Sequence, residues 1–285
     1  MTSKVWFITG TSRGLGREWA LAALDRGDRV AATARNVQTL DKLKEKYGES
    51  VLVLTLDVTD RAAVFEAIRE ANDHFGRLDV VVNNAGYGQI GMVEEISEQE
   101  AREQIETNLF GALWVTQAAL PYLREQGSGH ILQVSSIGGI SAFANLGMYH
   151  ASKWALEGIS QSLALEVGNF GIKITIIEPG GYSTDWGGSS AKHAEPLPAY
   201  EATREESRFR AKRQTAPGNP YATRDVVLRI VDAETPPLRI FLGDGPLSIA
   251  VADYESRLAT WREWEPVSIV AHGHANKPNS SDSER

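Results

Sequence analysis

The chain has 285 residues, 42% of them hydrophobic and 23% charged, with 29 Lys and Arg against 37 Asp and Glu for a formal net charge of −8. That length suits one large domain or two small ones, and the composition excludes global disorder. The acidic balance argues against a broad nucleic-acid surface, and the absence of cysteine excludes disulfides, a thiolate nucleophile and a Cys-based zinc site. The opening MTSKVWFITG is too short for a signal h-region, and no apolar run approaches the ~20 residues of a membrane helix. The chain therefore reads as cytoplasmic, with no membrane or nucleic-acid partner and no metal.

The first strand is expected over Lys4–Thr9 and a helix over Arg17–Arg26. Between them stands TGTSRGLG, with Gly10, Gly14 and Gly16. This spacing differs from GxGxxG, but its physics is the same. Gly10 permits a tight turn, Gly14 lets the backbone approach a pyrophosphate, and Gly16 lets the helix pack close to the strand. The helix N-terminus offers unpaired N–H groups to phosphates. The second strand, Arg29–Thr33, runs into Ala34-Arg35. An NAD site places a carboxylate here for the ribose 2′-OH. Arg35 and Arg13 suit a 2′-phosphate instead, so the expected cofactor is NADP.

The third strand, Val51–Leu56, is followed by Asp57-Val58, and a helix is expected over Arg61–His74. The fourth strand, Leu78–Asn83, ends in Asn83-Asn84-Ala85-Gly86, and a helix over Glu98–Glu125 carries Asn108. The fifth strand, His130–Ser135, delivers Ser136 to the crevice at the sheet's carboxyl edge, where ligands of open α/β sheets bind. The helix Tyr149–Gly168 opens with YHASK, so Tyr149 and Lys153 share a face. A free phenol titrates near pH 10. An ammonium about 4 Å away at an effective dielectric of about 20 favours the phenolate by roughly 4 kcal/mol, about three pKa units.

The sixth strand, Lys173–Ile177, precedes Pro179-Gly180; the seventh is Leu238–Leu242. Between them the polar segment Gly181–Pro220, with a helix over Ala199–Arg213, reads as a substrate lid. The basic patch Arg204, Arg208, Arg210, Lys212, Arg213 is interleaved with acids and reads as a solvated helix face. The tail His272–Arg285 reads as disordered. Most strands are apolar on consecutive residues, as in a sheet covered on both faces. The expected fold is a single α/β domain over 1–271, a Rossmann-like doubly wound parallel sheet of about seven strands with helices on both faces.

Taken together, TGTSRGLG, Asp57-Val58, Asn83-Asn84-Ala85-Gly86, Asn108, Ser136, YHASK and Pro179-Gly180 resemble the short-chain dehydrogenase/reductase family, in order and at family spacing from about residue 4 to 245. The glycine spacing is similar to that of its simple oxidoreductase branch. The resemblance implies a catalytic set of Asn108, Ser136, Tyr149 and Lys153. Tyr149 would be the acid/base, Lys153 would bond the nicotinamide ribose and lower the Tyr149 pKa, Ser136 would polarise a carbonyl, and Asn108 would hold a relay water. Gly10, Ser12, Arg13, Gly14, Leu15, Gly16, Arg35, Asp57, Val58, Asn84, Ala85, Gly86, Pro179, Gly180 and Thr184 would join Tyr149 and Lys153 in binding NADP. It also implies pairing through the helices near Glu98 and Tyr149, as a homodimer or homotetramer.

The expected reaction interconverts a small-molecule ketone or aldehyde and an alcohol. The alternative is a catalytically idle NADP-binding regulator on the same fold; an epimerase or dehydratase sits less well with the glycine spacing. Phe143, Tyr182 and Trp186, with Ile137, Ile140 and Met148, are candidates for an apolar substrate wall beside Ser136 and Tyr149. His150, one step round the helix from Tyr149, reads as structural or exposed, and Trp154 as core.

Overall fold

The computed structural model describes residues 3–188, 190–212 and 216–273. The first half comprises β1 Val5–Ile8, α1 Gly14–Arg26, β2 Arg29–Ala34, α2 Asp41–Tyr47, β3 Val51–Thr55, α3 Arg61–Phe75, β4 Val80–Asn83, β5 Gln89–Ile90, α4 Glu98–Ile105 and α5 Gly111–Gln126. The second comprises β6 Gly129–Val134, α6 Gly147–Val167, β7 Ile172–Pro179, β8 Lys192–His193, α7 Glu201–Lys212, α8 Arg224–Asp232, β9 Arg239–Leu242 and α9 Pro246–Val270.

Seven strands form one sheet in the order β3-β2-β1-β4-β6-β7-β9, every neighbouring pair parallel. The order reverses at β1 and β4, the switch point where a crevice opens beyond the strand ends. Both faces are covered, which explains the continuous apolar runs. One core packs Val5, Phe7, Val81 and Ile131 against α3, α5 and the end of α6 through Ile68, Val115 and Leu163. The other packs Trp6, Ile8, Val82 and Leu132 against α1, α2 and α8 through Trp19, Leu43 and Ile230. Asp60 caps α3 by accepting from the Ala63 amide, and Ser97 with Glu100 forms a capping box on α4.

The structure departs from the sequence reading in several places, among them the unforeseen strand pair β5 and β8 and Trp154, expected in the core but exposed. The helix expected over 98–125 is interrupted by a π turn at Glu106–Phe110, between α4 and α5. Such wide turns mark functional sites, and periodicity does not reveal them. The YHASK helix starts earlier, at Gly147. The helices α2, α8 and α9 were not foreseen. The chain up to Pro246 forms one compact unit and Leu247 onward a second. That second unit is described only as helix to Val270 and a turn to Gly273. Of the expected tail, 274–285 lies outside the described residues, as does Arg213. Among the described residues no helix is long and apolar enough to cross a membrane, and no three His, Asp or Glu side chains group to hold a metal.

His130 lies buried in β6, its Nε2 2.9 Å from Thr175 Oγ1. Burial, aided by the charges of Lys173 and Lys4, pulls its pKa down to about 3. The folded value lies below the unfolded one of about 6.5, so the unfolded chain binds the proton first. The stabilisation is complete above about pH 6.5 and falls by about 1.4 kcal/mol per pH unit on the way down to the folded value. Urea unfolding midpoints should therefore drop between pH 7 and pH 5, and drop less in His130→Gln.

Candidate active site

The glycine loop is built by neighbours as much as by its own residues. Gly10 and Gly14 adopt φ of 71° and 63°, a region closed to most side chains. The buried Thr9 hydroxyl donates to the Val82 carbonyl at 3.2 Å and accepts from the Asn84 and Ala85 amides, both at 2.9 Å. One side chain thus ties the end of β1 to the end of β4. Asn84 Nδ2 returns the tie, donating to the carbonyls of Thr9 and Gly10 at 2.9 and 3.0 Å. A Cβ on Gly16 would lie 2.3 Å from Asn84 Nδ2 and 2.6 Å from the Gly10 oxygen, so only glycine fits there. Thr11 anchors the other side, its hydroxyl on the Thr33 carbonyl at 3.1 Å.

A cleft of about 1450 Å³ runs from this loop along the sheet edge. Gly10, Ser12, Arg13, Gly14, Leu15, Arg35, Asp57, Val58, Asn84, Ala85, Gly86, Pro179, Gly180 and Thr184 all line it, as do Ser136, Tyr149 and Lys153. Gly16 and Asn108 stand just behind its wall. Arg35, exposed at the end of β2, faces no acid from Ala34. Arg13 differs from expectation: its guanidinium meets Asp185 of the lid at 3.0 Å. The Asp57 carboxylate accepts from the Thr59 amide and hydroxyl at 3.0 and 2.8 Å, which fixes the turn after β3.

Tyr149, Lys153 and Asn108 are buried at the deep end. The Ser136 hydroxyl accepts from the Gly138 amide at 3.0 Å and lies beside the Tyr149 phenol, whose pKa it pulls down. Lys153 Nζ donates to the Val134 carbonyl at 2.7 Å and sits 5.9 Å from the Tyr149 ring centroid. Here the structure corrects the electrostatic expectation. Burial pushes the Tyr149 phenol up to about 12, with only Ser136 pulling it down. Burial also draws Lys153 down to about 8, against the favourable charge of Glu157. Desolvation outweighs an ammonium that is already bonded to a carbonyl. Asn108 enters from the π turn. Its Oδ1 accepts from the Tyr87 amide, and its Nδ2 donates to the Tyr87 carbonyl and the Ser152 hydroxyl, at 3.0, 3.0 and 3.1 Å. Both amide protons are therefore engaged in bracing the wall, leaving one lone pair on Oδ1.

The lid is tied down at its base. β8 pairs with β5, Lys192 meets Glu103 at 2.5 Å, and the buried Arg204 meets Glu95 at 2.5 Å. Near the cleft, Thr184 packs on Gly14 and Trp186 lies edge-on to Tyr149 with centroids 4.9 Å apart. A Cβ on Gly88 would lie 2.7 Å from Trp186, so that glycine seats the indole. Phe143, Tyr182 and Ile137 join the lining, while Ile140 and Met148 do not reach it. Tyr182 also packs on Gly218 and Gly243.

A model described as short chain dehydrogenase matches residues 4–195. The chain belongs to the short-chain dehydrogenase family. The oxidoreductase BOA17 of Botryotinia fuckeliana is 42% identical over 274 residues, covering 94% of this chain and 99% of that one. A short-chain dehydrogenase structure from Streptomyces avermitilis superposes with a TM-score of 0.86 at 39% identity, over 94% of this chain and 98% of that one. An alcohol dehydrogenase from the archaeon Thermococcus sibiricus, complexed with 5-hydroxy-NADP, gives 0.71 at 30% identity, over 85% and 96%. The sheet of this short-chain dehydrogenase is Rossmann-like, and the chain is an oxidoreductase.

In this short-chain dehydrogenase the sequence reading overlooked Thr9 and Thr11 as loop anchors, since buried threonines resemble ordinary strand residues. His150, expected to be structural or exposed, takes the structural role. That ring is buried, with Nδ1 2.8 Å from the Gly138 carbonyl and Nε2 2.9 Å from the Phe143 amide nitrogen. An amide can only donate, so Nε2 accepts and Nδ1–H donates, which fixes a neutral tautomer. The ring clamps both ends of the loop following Ser136, and burial holds its pKa below the usual histidine value. Replacing it by His150→Phe should accelerate hydrogen exchange at the Phe143 amide while the amides in the middle of α6 stay protected.

Proposed function

We propose that this short-chain dehydrogenase interconverts a ketone or aldehyde and an alcohol with NADP(H). The observation that carries this reading is the buried Tyr149 phenol beside Ser136, with Lys153 one helical turn on, at the deep end of a cleft whose other end is a glycine cradle. The residues present fit a dinucleotide. Gly10 and Gly14 hold the loop in the left-handed region, and the adjoining α1 N-terminus favours phosphate.

Arg35 is the cation that favours NADP over NAD. Arg13 would add to it by exchanging Asp185 for the 2′-phosphate, since an exposed pair of this kind is worth about 1 kcal/mol or less and a phosphate offers more charge. The Thermococcus sibiricus relative, bound to an NADP analogue, is consistent with that choice.

When bound, the nicotinamide supplies or accepts the hydride. The chain's own residues handle the proton. The Ser136 hydroxyl donates to the substrate oxygen and orients it. Tyr149, held as a neutral phenol by burial, gives its proton to that oxygen as a carbonyl is reduced, and takes it back as an alcohol is oxidised. The charge of Lys153 stabilises the phenolate left behind. Asn108 braces the loop at Tyr87, and the second lone pair of its Oδ1 is where a relay water would bond. Phe143, Trp186, Ile137 and Tyr182 give the substrate an apolar wall suited to a medium-sized hydrophobic carbonyl.

Two measurements test this. Arg35→Ala should weaken NADPH binding about 10- to 100-fold and leave NADH binding nearly unchanged, since one charge-assisted bond is worth roughly 1.5–3 kcal/mol; equal wild-type affinities for the two cofactors would refute the preference. Tyr149→Phe should keep NADPH affinity within a few-fold while turnover on a carbonyl panel falls by about 10²- to 10⁴-fold; near-normal turnover would refute the assignment.

A further inference from the structure

Behind the deep end of the cleft lies a second group of buried charges. Glu157 on α6 and Glu178 on β7 are 6% and 1% exposed. Arg239 of β9 reaches both, with Nε 2.9 Å from Glu157 Oε2 and 3.5 Å from Glu178 Oε1. Its Nη2 donates to Gln161 at 2.9 Å. Three buried side-chain oxygens here, Ser135 Oγ, Glu157 Oε1 and Glu178 Oε1, have no hydrogen-bond partner. Two carboxylates are acceptors only, so a buried pair needs a donor between them.

The place of this cluster is as telling as its chemistry. Ser135 immediately precedes Ser136, Glu157 is one helical turn beyond Lys153, and Glu178 immediately precedes Pro179-Gly180. A Cβ on Gly139, in the loop after Ser136, would fall 2.5 Å from Ser135 Oγ and 3.2 Å from Glu157 Oε1. The loop is therefore seated directly on the cluster.

We propose that Glu157 and Glu178 share one proton and act as positioning residues, the Glu157 charge keeping the buried Lys153 cationic and the pair together with Ser135 forming the seat on which the Ser136 loop packs. Glu178 is the protonated member: burial and the neighbouring Glu157 charge both raise it. Glu157 is raised by burial but steadied by Arg239. The charged groups set against the pair are Lys153 from α6 and Arg239 from β9. Arg239 is engaged with Gln161 as well as both acids, which leaves Glu157 as the anion that offsets the desolvation of Lys153.

The consequence for Lys153 rests on the proposed dehydrogenase reading; the shared proton does not, and the experiment separates the two. Infrared spectra of the protein without added ligand at pH 7 should show a buried carboxylic-acid C=O band that Glu178→Gln removes. An unchanged band in that variant overturns proton sharing, whatever the protein catalyses. In the second arm, NADPH binding by fluorescence and kcat/KM on a carbonyl substrate are followed against pH. Glu157→Gln should move the alkaline loss of both to lower pH by about one unit, as expected for removing one nearby opposite charge, while Glu178→Gln moves it less. Glu157→Asp should restore most of the wild-type profile. A profile that Glu157→Gln leaves in place, with only the melting temperature lowered, overturns the positioning role. If the wild type neither binds NADPH nor turns over any carbonyl, the dehydrogenase reading fails, and the infrared arm still decides the proton.

Discussion

Parallel pairing of β1 between β2 and β4 sends every strand's carboxyl end to one edge of the sheet, and the site depends on that edge being held in register. The Thr9 hydroxyl and the Asn84 amide carry much of that load, because together they tie the two loops that diverge at the switch point. Both side chains are satisfied by backbone groups at the strand ends. The glycine at position 16 follows from the same contact, since any Cβ there would displace Asn84. The loop's conformation is thus a joint property of two segments far apart in sequence.

Burial is the second organising force. It acts in one direction on acids and the other on bases, and at the deep end it acts on both. Tyr149 rises, Lys153 falls, and the two glutamates behind them rise. The result is a dry site that favours neutral side chains, in which hydrogen bonds from the Gly138 amide to Ser136 and from Lys153 to the Val134 carbonyl fix geometry. A phenol kept protonated is a ready donor; a lysine drawn down in pKa needs an anion nearby to stay charged.

The lid shows how exposure ranks similar contacts. Arg204 and Glu95 pair with side chains only 8% and 1% exposed, and Glu95 also accepts from the Met92 and Leu197 amides at 2.8 Å each. Breaking that pair would leave a buried charge unmatched, which is costly. Arg13 and Asp185 pair with side chains 48% and 56% exposed, where solvent and salt weaken the attraction. The base of the lid is therefore fixed, and its tip over the glycine loop is held by a contact that exchanges readily.

Local chemistry determined what the sequence made legible: the seven strand segments, the glycine loop, the residues delivered to the sheet edge and the shared face of Tyr149 and Lys153. These follow from periodicities of one strand or one helix and from strand ends that all point the same way. Only the tertiary structure decided the rest, because it depends on what lies across from a residue rather than beside it. The π turn at Asn108 follows from packing against Tyr87 and Ser152; the roles of Thr9 and His150 from backbone groups in other segments; the engagement of Arg13 from a lid residue 172 positions away. The phenol of Tyr149 shows the limit most clearly. Sequence gives its distance along the helix from a lysine, but its acidity is set by how completely water is excluded from both, and that is fixed only when the sheet, α6 and the lid have closed around them.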